Sequence, residues 1–280
     1  MYSALSKQPN PNYRSPGTYI LDFYKKRNYP AHEPLWLNLG LWNSGDTYCN
    51  ACENLTNWII DASQFKEGGS ILDVGSGFCQ PAIYIAQKKL GVKIHSINIQ
   101  DEQIEIALRR ISNLSLNETI CVSNCSATSL DFPHQSFDVV FALESAFHFD
   151  TREKFLQEAY RVLKPKGRLI MADMLAESNL KVDLSQQAFI KNYGVPIDNL
   201  IDINTFRNQL IYNQFKINQL FSIKEKVYPF AAKLSKQLSD GADLYSARIC
   251  VSETEQQNLA GIELWENLGL SDFILVCAEK

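Results

Sequence analysis

From Ser70 onward, short runs rich in apolar and β-branched residues alternate with stretches in which apolar residues recur at helical spacing. The runs predict strands at Ser70–Val74, Lys93–Ile99, Thr119–Asn124, Phe137–Glu144 and Gly167–Met174. Between them, Ile83, Ala86 and Leu90 share one face of a helix over 80–89, with Gly91 placed to end it. Ile104, Ala107, Leu108, Ile111 and Leu114 predict a second helix over 101–116, and its acidic first turn suits the helix dipole. Phe155, Leu156, Ala159, Val162 and Leu163 predict a third over 151–163. Strand, helix, strand, helix implies parallel strands joined by right-handed crossovers, with helices on both faces of one sheet.

Two later segments are expected to complete a seven-stranded, mostly parallel, Rossmann-like sheet of the α/β class. Phe221–Phe230 alternates in part, and Phe273–Ala278 is apolar throughout, as a strand buried on both faces is. Residues 176–220 are Asn/Gln-rich, with helical signals at 185–193 and 202–219, and predict a helical lid inserted after the fifth strand. Residues 1–17 lack an apolar period and read as a disordered tail, and 18–66 as an N-terminal helical cover crowded with aromatic residues. On this division the core spans 67–175 and resumes at 221–280.

Composition narrows the function. Apolar residues make up 45% and charged residues 21%, as in a globular enzyme, and the net charge is −4. No cluster of Lys and Arg exceeds the short Lys25-Lys26-Arg27, so a nucleic-acid partner is not expected. No apolar run reaches the ~20 residues that span a bilayer, and Met1–Pro9 lacks the apolar stretch of a secretory leader. Seven irregularly placed cysteines read as reduced thiols in a cytoplasm. Cys49 and Cys52 have the spacing of half a zinc site, but no second pair follows, so no metal is expected.

The most informative segment is Ile71-Leu72-Asp73-Val74-Gly75-Ser76-Gly77-Phe78-Cys79-Gln80. A strand runs into two glycines and then a helix, the arrangement that lets a ligand approach backbone at the carboxyl edge of an open sheet. A dinucleotide fingerprint would place glycine where Gln80 stands and an acid where Asn98 ends the second strand, so NAD fits poorly.

Together with Ser96–Gln103, Ser136–His148 and Ala159–Leu169, this segment resembles the class I S-adenosylmethionine-dependent methyltransferases. It is closest to their small-molecule branch, which includes antibiotic-sugar O-methyltransferases and tocopherol and sterol C-methyltransferases. The resemblance covers about residues 35–175. It implies S-adenosylmethionine as cofactor and a small-molecule methyl acceptor, with O-, N- and C-methylation all open. Asp73, Gly75, Ser76 and Gly77 would hold the methionine part, and Asn98, Ile99 and Gln103 the ribose side. Ser126 and Ala127 would lie at the adenine, Glu144 would support the pocket, and Trp42 in Leu39-Gly40-Leu41-Trp42 would fold over it.

Three positions depart from the family pattern: Cys79 for a third glycine, Asn98 for an aspartate and Ser126 for an acid. His148 and Asp173 match the positions of the family's catalytic histidine and acid, and Phe147 stands where relatives carry another histidine. Tyr24 and Phe147 are expected to contact the acceptor. A dimer through the N-terminal helices is a further expectation. The competing reading is a retooled binder or cyclase that keeps the fold without transferring methyl.

Overall fold

The computed structural model describes residues 34–64, 66–88, 90–244, 246–251 and 269–280. In chain order these form β1 (Asp46–Thr47), α1 (Tyr48–Ser63), β2 (Ser70–Val74), α2 (Gln80–Gln87), β3 (Lys93–Asn98), α3 (Asp101–Asn113), β4 (Ile120–Asn124) and β5 (Phe137–Leu143). There follow α4 (Arg152–Val162), β6 (Leu163–Leu175), α5 (Leu184–Asn192), α6 (Ile203–Tyr212), β7 (Lys216–Ser222), α7 (Tyr228–Ser239), β8 (Arg248–Ile249) and β9 (Asp272–Glu279).

Seven strands make one sheet in the order β4-β3-β2-β5-β6-β9-β7, and β1 pairs with β8 apart from it. The strands from β4 to β6 run parallel, and β9 enters antiparallel between β6 and β7. The expected seven-stranded, mostly parallel α/β sheet is therefore present. Its two faces follow from the two-residue period of a strand. In β5, Val140 and Ala142 join Phe155 and Leu156 of α4 and Phe206 and Leu210 of α6. Val139 and Phe141 point the other way, to Ile59 of α1, Ile83 of α2 and Ile111 of α3.

Several boundaries differ from the sequence expectation. The sixth strand lies at Lys216–Ser222, overlapping the helix expected to 219, and Phe221–Phe230 passes from the end of that strand through a 3-10 turn (Lys224–Lys226) into α7. β7 is an edge strand with largely exposed side chains, so its polar sequence carried no strand signal. Pro229 cannot donate to a ladder but suits the first turn of a helix, which is where it sits. Residues 34–45 are not helical as expected; Pro34, Gly40 and Gly45 disfavour helix there, and Gly40 and Gly45 take positive φ. Residues 1–33 lie outside the described residues.

Phe141 is fully buried on the central strand pair. Phe141→Ala is expected to cost about 3–5 kcal/mol of stability, read as a lowered urea midpoint. A change near zero would contradict this placement of the core.

Candidate active site

β2 is bordered by β3 on one side and β5 on the other, so the chain leaves its carboxyl end in opposite directions. A cavity of about 670 Å³ opens there, within the usual range for a small-molecule site. Two glycines of the turn after β2 meet a demand that other residues would satisfy only with strain. Gly75 has φ +73°, and a Cβ on it would lie 2.5 Å from Ser145 Cβ. Gly77 has φ +54°, and a Cβ there would lie 2.6 Å from Leu37. Cys79 also takes a left-handed φ of 57°, which accounts for glycine at this position in the family pattern. Its buried thiol contacts Ser76 Oγ at 3.4 Å, and burial pushes it up to about 12, so it stays protonated.

Among the acids of the cavity, Asp73 is buried and Glu144 half-buried. Asp73 accepts a 3.0 Å bond from Ser96 Oγ, and burial raises its carboxyl to about 7. Glu144, at a left-handed φ of 49°, accepts from Leu39 N at 2.7 Å and is raised well above the usual range by burial. At the end of β3, Asn98 Nδ2 donates to Gln103 Oε1 at 2.7 Å, and Asn98 Oδ1 accepts from Ile99 N at 2.9 Å. Ile99 exposes 62% of its surface at the cavity mouth, an apolar shelf for a ring. Ser126 and Ala127, after β4, line the same end.

Residues 35–39 close the other side, and sequence reasoning missed Trp36, Asn38 and Tyr48 in this wall. The alternation in Leu35-Trp36-Leu37-Asn38-Leu39 was the signal available. Leu35 N donates to Gln80 Oε1 at 3.1 Å, and Arg110 holds both Gln80 and the Phe78 carbonyl. Gln80, which breaks the dinucleotide fingerprint, is thus the anchor of this wall. Tyr48 donates its hydroxyl to the Asn38 carbonyl at 2.9 Å. Trp42 does not line the cavity. It is buried against Phe230, and its Nε1 donates to the Leu39 carbonyl at 2.6 Å, so it braces the wall from behind. Tyr24 lies outside the described residues.

On the side of the cavity next to β5, the turn after that strand presents Phe147 and His148, with Met174 and Gly194 beside them. His148 Nδ1 lies 3.0 Å from the Gly194 carbonyl. A carbonyl only accepts, so Nδ1 carries the proton. Burial lowers the imidazole to about 4, which leaves it neutral at pH 7 with a lone pair on Nε2. Asp173 is not at the cavity. It is fully buried, paired with Arg152 at 2.9 Å, and accepts from Phe147 N at 3.3 Å. Its match to a catalytic acid is corrected accordingly: it stands behind the site and supports the turn.

The crevice suits a cationic nucleoside on three counts. Asp73 and Glu144 have no ion-pair partner among the described residues, Asn98 and Gln103 offer amides for hydroxyl groups, and Asn38 Oδ1 is buried without a hydrogen-bond partner there. No group of three or more metal-ligating side chains forms among the described residues.

Comparison with known proteins agrees with this geometry. A family model described as a methyltransferase domain matches residues 72–171. Erythromycin 3''-O-methyltransferase of Saccharopolyspora erythraea is 25% identical over 89% of this chain and 84% of its own. The 27-O-demethylrifamycin SV methyltransferase of Amycolatopsis mediterranei is 33% identical over 51% and 54%. Among solved structures, a sarcosine dimethylglycine methyltransferase from Galdieria sulphuraria superposes with TM-score 0.71, 20% identity and coverage of 93% and 97%. The [4+2]-cyclase SpnF superposes with TM-score 0.70, 21% identity and coverage of 94% of each chain. At these identities the structural likenesses are of fold. These findings support a class I S-adenosylmethionine-dependent methyltransferase of the small-molecule branch.

Two outcomes test the placements. Gly75→Ala puts a side chain into Ser145 at a left-handed φ and is expected to weaken cofactor binding at least tenfold, read by calorimetry; unchanged affinity would contradict the turn's role. Asp173→Asn removes the counter-charge of buried Arg152 and is expected to cost about 3–5 kcal/mol, seen as a lower melting temperature. A purely catalytic Asp173 would leave melting untouched.

Proposed function

We propose that the enzyme methylates a hydroxyl group of an uncharged, largely apolar small molecule of secondary metabolism. The observation that carries this is His148: a neutral imidazole on the cavity wall, its Nδ1 proton committed to Gly194 and its Nε2 available as a base. When bound, S-adenosylmethionine supplies an electrophilic methyl group on a sulfonium. Asp73 and Glu144 would hold its positive end, Asn98 and Gln103 its ribose, and Ile99, Ser126 and Ala127 its base.

A hydroxyl is a weak nucleophile until its proton leaves, so a base is worth more here than for a free amine. Nε2 of His148 would accept that proton as the oxygen attacks, a contribution of roughly 10²–10⁴ in rate. Phe147, its ring 3.9 Å from that of His148, gives the acceptor an apolar contact. No Lys or Arg lines the cavity among the described residues, which favours a neutral acceptor over a phosphate or carboxylate. The names of the erythromycin and rifamycin relatives, both methyltransferases acting on antibiotics, support the same class.

The reading also places the enzyme in the cytoplasm, without a nucleic-acid partner; free thiols at all seven cysteines support it. Among the described residues no helix is long and apolar enough to cross a membrane. Of the N-terminal stretch 18–66 through which a dimer is expected, residues 18–33 and 65 lie outside the described ones, and sedimentation reads the oligomeric state directly.

The test is kcat under saturating cofactor with hydroxylated, apolar acceptors. His148→Gln is expected to lower kcat by roughly 10²–10⁴ while cofactor affinity holds. The neutral imidazole is the active form and is lost only as pH falls through about 4, so His148 predicts a flat kcat from pH 8 to about 5.5. An acidic limb near the ordinary histidine value of 6.5 would contradict the neutral base.

A further inference from the structure

Behind the wall that carries His148 lies a closed ring of buried polar contacts that no sequence motif announces. Asn199 sits in a short 3-10 turn, Ile197–Asn199, of the segment inserted after β6, and it is fully buried. Its Nδ2 faces three carbonyls of the turn after β5: Phe149 at 2.7 Å, Phe147 at 3.1 Å and Ala146 at 3.4 Å. An amide has two protons, so Phe149 and Phe147 take them and the longer Ala146 contact is shared. On its other side, Asn199 Oδ1 accepts from Arg152 N at 2.8 Å, and its own carbonyl accepts from Arg152 Nη1 at 2.7 Å.

Arg152 carries the ring onward. Its Nη2 donates to the Met174 carbonyl at 2.9 Å and its Nε to Asp173 Oδ2 at 3.0 Å, and Asp173 Oδ1 returns to Phe147 N. Arg152, Asp173 and Asn199 are each exposed by 1% or less. Buried networks of this kind hold geometry because every broken bond leaves a polar group without water to replace it. Asn199 therefore joins two things at once: the backbone on both sides of His148, and the inserted segment whose Gly194 carbonyl accepts from the His148 ring.

We propose that Asn199 is a positioning residue for methyl transfer, clamping residues 146–149 to the inserted segment so that His148 is held against Gly194 with Nε2 free for the acceptor. The proposal rests on the reading of His148 as the base. Asn199 touches neither cofactor site nor acceptor pocket; it acts through the backbone of the turn. Apart from His148, the ionisable groups that line the cavity among the described residues are Asp73, Glu144, Asp150, Tyr48 and Cys125, and Asp173 with Arg152 stands behind Phe147. Burial is the chief cause of the lowered His148 titration, so it reports whether the clamp keeps the ring packed.

Asn199→Leu keeps the approximate shape and removes both donors and the acceptor; Asn199→Ala is the second variant should the first not fold. Three readouts apply to whichever folds: kcat, cofactor affinity by calorimetry, and the His148 titration by NMR. The proposal expects kcat to fall roughly tenfold or more, cofactor affinity to stay within about twofold of wild type, and the His148 titration to rise from about 4 toward 6.5. An unmoved titration with unchanged kcat overturns it, and so does a kcat loss matched by loss of cofactor affinity, which would mark a general folding role. His148→Gln separates the two readings: unaltered kcat in that variant would retire His148 as base, whereas the NMR titration in the Asn199 variant reads the clamp regardless.

Discussion

The turn that follows β2 and the turn that follows β5 pass so close at the carboxyl edge of the sheet that no side chain fits between them at Gly75. Ser145 fills that space and donates its hydroxyl to the Val74 carbonyl at 2.8 Å, tying the two turns together. Everything at the site is registered from this contact. One residue before Ser145, Glu144 turns back to hold Leu39 of the covering wall; three residues after it, His148 reaches the cavity. The Gly-rich turn and the candidate base thus face one cavity from neighbouring strands.

Electrostatics complement that geometry. Asp73 and Glu144 are carboxyls in poor solvent, and burial lifts both. Placing a sulfonium and an ammonium beside them would favour their charged forms. The same burial acts in the opposite sense on His148, discharging it. Burial thus acts on the acids and on the imidazole of one cavity in opposite senses.

Much of this was legible in the chain. Parallel strands announced themselves as short apolar runs, and the paired glycines marked the crevice because their role is local: backbone turns there whatever packs around it. Asp173 was not legible, because its partner Arg152 lies 21 residues earlier on a helix and only folding brings them together. Trp42 looked like cover because aromatic residues serve both pocket and core, and its neighbour Phe230 is remote in sequence. β7 hid in a polar edge, and Asn199 in an Asn-rich stretch with no period. What a sequence shows is what a residue does for its near neighbours; pairings across elements are what it conceals.

The most direct test of the account is a crystal structure with S-adenosylhomocysteine, the product that keeps the sulfur. The account predicts its amino-acid end between Gly75 and Asp73, its ribose at Asn98 and Gln103, and its sulfur facing His148 across a gap wide enough for an acceptor oxygen. A ligand bound with its sulfur turned away from His148, or a crevice that excludes it, would contradict the account.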